Sequence, residues 1–79
     1  MFINKTADNK NNLCGKNVAA LRIKMNISQK KLADKLQVIG LDIDKNAVQR
    51  IEAGKRFVTD IELKKLSEVF DVDINELIK

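Results

Sequence analysis

The chain has 79 residues, a formal net charge of +4, one cysteine, no histidine and no proline. That length suits one compact domain, and the lone Cys14 excludes an intramolecular disulfide. There is no histidine, the scattered carboxylates and single cysteine give no metal cluster or triad, and no glycine-rich phosphate loop appears, so the chain is not expected to be an enzyme or to hold a metal or cofactor.

The opening stretch "MFINKTADNKNN" has no apolar segment of signal-peptide length, and no run reaches the roughly 18 apolar residues of a membrane span. A cytoplasmic protein with no membrane partner is expected. Charge is unevenly spread. Through Thr59 there are twelve Lys/Arg against five Asp/Glu, and from Asp60 onward three against six. A basic front with an acidic back fits a polyanion partner for one face, although lysine-rich proteins often carry such a bias.

Residues 1–12 are polar and rich in Asn and Lys and are expected to form a flexible N-terminal arm, with Lys5 and Lys10 available to DNA. The folded domain is expected over residues 13–79. In chain order, Cys14, Val18, Leu21 and Met25 mark a first helix from about Leu13 to Met25 by their helical spacing. Leu32, Leu36 and Ile39 mark a second, and Leu63, Leu66 and Phe70 a fourth.

Four helix starts share one pattern, in which an apolar residue precedes a capping residue and another follows four positions after the cap. It reads Ile27–Ser28–Leu32, Ile43–Asp44–Val48, Val58–Thr59–Leu63 and Val72–Asp73–Leu77. Ser28, Asp44, Thr59 and Asp73 are therefore the expected N-caps. Glu62 and Glu76 add the capping-box spacing to the last two. Gly40 and Gly54 stand where the second and third helices should stop. Leu41 and Ile43 alternate with Asp42 and Asp44, as in a short extended link. Five short helices result, an all-α domain.

On a wheel of roughly 100° per residue, Lys45, Asn46, Gln49, Arg50 and Ala53 of the third helix share an arc of about 140°. Ala47, Val48 and Ile51 occupy a separate arc of about 100°. The outer face thus carries cations and amides but no carboxylate. Arg and Lys pair with the major-groove edge of guanine, and Asn and Gln with that of adenine. Lys55 and Arg56 follow in a turn from which phosphates are within reach. An ordinary solvated helix face can look the same, so the wheel alone leaves both readings open.

The segments "ALRIKMNISQKKLADKL", "DKNAVQRIEAGKR" and "TDIELKKLSEVFDVDINELI" together resemble the XRE and Cro/phage-repressor type of helix-turn-helix DNA-binding family, over about Leu13 to Ile78. The resemblance implies a five-helix lambda-repressor-like domain whose third helix enters the major groove. By position it implies Lys45, Asn46, Gln49 and Arg50 as base contacts, and Gln29, Lys55 and Arg56 as phosphate contacts. It also implies a structural ion pair between Arg22 and Glu52. The chain departs from the family at "QVIGLDI", where the link between helices two and three is about five residues longer than the usual tight turn, by the spacing of Leu36 and Asp44.

The implied function is sequence-specific binding of double-stranded DNA by a transcription regulator, expected to be a repressor, acting as a homodimer on a palindromic operator. The dimer is expected to form through the C-terminal helix and the end of the fourth, where one or two apolar residues such as Ile74 and Ile78 are spared from the core. No small-molecule ligand is evident. The alternative is a protein-interaction module, such as an antitoxin or anti-repressor, on the same fold. The lack of aromatic or branched anchors on the third helix's outer face argues against it.

Overall fold

The computed structural model describes residues 5–79. Among them are five helices and no strand: α1 (Gly15–Lys24), α2 (Gln29–Val38), α3 (Lys45–Glu52), α4 (Asp60–Phe70) and α5 (Asn75–Ile78). The all-α expectation holds.

Three helix starts are closed by the side chains that the sequence offers. Ser28 accepts from the Lys31 N–H, Asp44 from Ala47 and Thr59 from Glu62. At Thr59 the Glu62 carboxylate also reaches back to the cap's own N–H, completing a capping box. Asp73 behaves differently, and its assignment as an N-cap is corrected. The cap position of α5 falls on Ile74, and the Asp73 carboxylate accepts from Asn75 two residues on. The reason is tight winding: the first bonds here run from Glu76 to Asp73 and from Leu77 to Ile74, three residues apart. Glu76 turns instead to Lys79 at 2.8 Å.

The ends of α1 to α4 also follow one design. After each, a residue takes positive φ: Asn26 (59°), Gly40 (98°), Gly54 (76°) and Asp71 (54°). The next N–H then bonds five residues back, as in Leu41 to Leu36, Lys55 to Arg50 and Val72 to Ser67. This Schellman closure satisfies carbonyls that a helix end would otherwise strand. Glycine marks two of the four. Asn26 and Asp71 fill the others because short polar side chains tolerate the left-handed region.

The first helix starts at Gly15 rather than Leu13, because the Asn12 side chain accepts the Gly15 N–H and turns the chain there. Leu13 consequently stands 64% exposed outside the core. That core joins Cys14 and Val18, Leu32, Ala33 and Leu36, Val48 and Ile51, and Leu66, Phe70 and Leu77, one group from each helix or its edge. Burying each large aliphatic side chain contributes about 1.5–3 kcal/mol.

The long link is fastened at three points. Leu41 donates its N–H to Leu36, Ile43 is buried in the core, and the Gln37 amide donates to the Ile43 carbonyl. The extra residues therefore lengthen α2 and then lay an anchored strap toward the Asp44 cap.

Burial also sets the chemistry of Cys14, which is 2% exposed and whose thiol pKa is pushed up to about 11 by loss of hydration. At pH 8 only about one native thiol in a thousand is ionised. A thiol reagent should accordingly modify the native chain slowly, and quickly once denaturant opens it. The unfolded thiol gives up its proton near its ordinary pKa of 9.0 and the folded one near 11. Between those values the folded state binds more protons, so stability should fall as pH rises through that window. A urea titration at pH 8 and pH 10.5 checks the sign.

Candidate nucleic-acid interface

α3 begins at the Asp44 cap and buries Val48 and Ile51, which turns its opposite side outward. Lys45, Asn46, Gln49 and Arg50 are all exposed there, with Ala53 beside them. Among the described residues, none of these four side chains takes part in a hydrogen bond or ion pair. α2 starts at Ser28 without a carboxylate in its first turn. Its free N–H groups and positive dipole end are thus left open to an anion.

The two helices are held in register from α1. Arg22 meets Glu52 through two parallel bonds, Nε to Oε2 at 2.6 Å and Nη2 to Oε1 at 3.1 Å. Its third nitrogen donates to the Ile27 carbonyl at 2.9 Å. Both side chains are largely covered, with 16% and 9% exposed. The hydrogen bonds that Arg22 donates to Glu52 raise its pKa further above the ordinary value, so the guanidinium stays charged. One fork therefore fastens α1, the turn before α2 and the last residue of α3.

Two of the residues expected to touch phosphates have partners within the protein. The Gln29 amide donates to Glu52 Oε1 at 3.1 Å, joining the Arg22 fork. Arg56 pairs with Glu62 at 2.9 Å and is half-buried, which ties the turn after α3 to the first turn of α4. Lys55 alone of the three stands exposed and, among the described residues, outside any ion pair.

Of residues 5–12, expected from composition to belong to a flexible arm, Asn11 and Asn12 are hydrogen-bonded to the end of α3 and the turn after it; residues 1–4 lie outside the described residues. The Asn11 N–H donates to the Gly54 carbonyl and its side chain to the Lys55 carbonyl, both near 2.8–2.9 Å. The Asn12 amide donates to the carbonyls of Ile51 at 3.1 Å and Arg56 at 2.8 Å. Gly15 fits here because a methyl group on it would run into the Ile51 carbonyl. Sequence reasoning missed this strap. Its one signal is the pair of asparagines just before a helix start, a pattern too common to single out.

An all-α domain whose second and third helices are tied together through Glu52, with a cationic, amide-bearing outer face on the third, has the arrangement of a helix-turn-helix domain. The chain belongs to the helix-turn-helix family: the family's model (HTH_3) matches residues 18–77, from the middle of α1 to α5. It is accordingly a DNA-binding transcription regulator. Among solved structures, the chain is similar to the restriction-modification controller protein C.AhdI from Aeromonas hydrophila. The identity is 28%, the match covers 80% of this chain and 84% of that one, and the TM-score is 0.69. No curated protein matches the chain.

Proposed function

We propose that this regulator reads double-stranded DNA sequence-specifically with the outer face of α3, as a homodimeric, cytoplasmic repressor of bacterial or phage type. The observation that carries the reading is the set of four exposed side chains, Lys45, Asn46, Gln49 and Arg50, which are chemically matched to base edges. A protein-docking helix would present apolar anchors in their place. Selection from a random duplex library tests it: a palindromic consensus with half-sites about one helical turn apart is expected, and no enrichment would contradict it.

Backbone contacts divide into two kinds. Lys55 and the N-terminus of α2 face the phosphates, whereas Gln29 and Arg56 serve through the ion pairs that hold these elements. Lys55→Ala should weaken all duplexes alike and reduce the slope of log K against log salt by about one unit. Fluorescence anisotropy at several salt concentrations checks both numbers.

For the dimer, Phe70 and Leu77 are core residues and Val69, Val72 and Ile74 are half-covered. Ile78 is 40% exposed, at the lip of a cleft of about 150 Å³ that Leu13 and Val58 also line. Ile78 is therefore the C-terminal residue best placed to serve a dimer, with Ile74 second. Ile78→Asp should shift the sedimentation-equilibrium dissociation constant upward at least tenfold. A parent chain that stays monomeric at high micromolar concentration contradicts this surface.

A further inference from the structure

The strap formed by residues 5–12 makes no use of the chemistry assigned to α3, yet it takes up three consecutive carbonyls of the turn that follows, those of Gly54, Lys55 and Arg56. Gly54 and Lys55 are bonded by Asn11, and Ile51 and Arg56 by Asn12. A trans peptide is planar, and its C=O and N–H point in opposite directions. Drawing the carbonyls of Lys55 and Arg56 toward the strap therefore turns the N–H groups of Arg56 and Phe57 away from it. The Lys55 N–H returns to the Arg50 carbonyl. Among the described residues, those of Arg56 and Phe57 meet no acceptor. Successive N–H groups with a shared direction form a concavity suited to an anion, and the exposed Lys55 side chain lies in the same turn.

We propose that Asn11 and Asn12 are positioning residues for DNA binding: by holding the carbonyls of the Gly54–Phe57 turn, they aim its N–H groups and Lys55 at the phosphate backbone. The proposal rests on the DNA-binding role of that turn given above. It assigns the strap a function without a direct contact to DNA. The two asparagines divide the work. Asn12 also accepts the Gly15 N–H, so it helps to start α1, while the half-buried Asn11 side chain donates to the Lys55 carbonyl and accepts from Lys5 Nζ at 2.9 Å, with no bond to a helix.

The test is a double-mutant cycle between Asn11→Ala and Lys55→Ala, read by anisotropy on operator and scrambled duplexes over a range of salt. Asn11→Ala should weaken both duplexes alike by about three- to tenfold, leaving their ratio unchanged. In the Lys55→Ala background the same change should cost markedly less, because the lysine it aims is gone. Thermal unfolding should barely move for Asn11→Ala, and Asn11→Gln should restore part of the binding. If Asn12→Ala fails to fold, Asn11→Ala still carries the test.

Unchanged binding by Asn11→Ala, or losses that simply add, would overturn the positioning role while leaving DNA binding intact. A parent chain that binds no duplex would overturn the DNA reading and this inference together.

Discussion

Glu52→Ala is expected to lower stability by about 3 kcal/mol and the melting temperature by about 12 °C or more. The cause is the partner left behind. Arg22 is largely covered by the protein and its fork has no second carboxylate, so its charge would be stranded at the meeting of three elements. Gln29 loses its acceptor in the same step. Most of this cost is desolvation without compensation, not the net strength of the pair. Replacing both charges, as in Arg22→Met with Glu52→Leu, should therefore recover much of the loss. Thermal melts of the single and double variants decide it. If both singles melt within 2 °C of the parent, roughly the shift of a few tenths of a kcal/mol, the fork is not holding the helices.

Arg50→Ala and Asn46→Ala should leave folding almost untouched, because both side chains are exposed and off the core. On the selected operator each should cost about 1–3 kcal/mol, or about five- to 150-fold, with relaxed preference at one base position. The pattern of loss separates the roles. Removing a base contact lowers affinity for the operator and spares scrambled duplex, while removing the Lys55 charge lowers both. Uniform loss from Arg50→Ala would move that residue to the phosphate class.

The fold was legible because its punctuation is local. Caps at Ser28, Asp44 and Thr59 and stops at Gly40 and Gly54 each depend on residues a few positions apart, and each falls where its spacing puts it. The outer face of α3 was legible for the same reason, since a wheel needs only the order of residues. What escaped depends on distant partners. Nothing near Arg56 in the sequence says that its guanidinium meets Glu62 rather than solvent. Nothing in "NKNN" says that Asn11 and Asn12 will find carbonyls about forty residues on, because a polar run that docks and one that does not share the same composition. Asp73 failed for a finer reason. A helix of four residues wound by three-residue bonds offers its carboxylate a nearer N–H than the usual one. The Arg22–Glu52 pair is an intermediate case. The resemblance implied it, the wheel put Glu52 at the border of the packed arc, and the structure supplies the fork geometry and the Gln29 bond.

The central claim is that four exposed side chains of α3 read base sequence. Its most direct measurement compares the affinity of the parent chain for a selected operator with that for a scrambled duplex of the same length, at one fixed salt concentration. The account predicts a preference of about a thousandfold or more for the operator at physiological salt. Equal affinity for the two would contradict it.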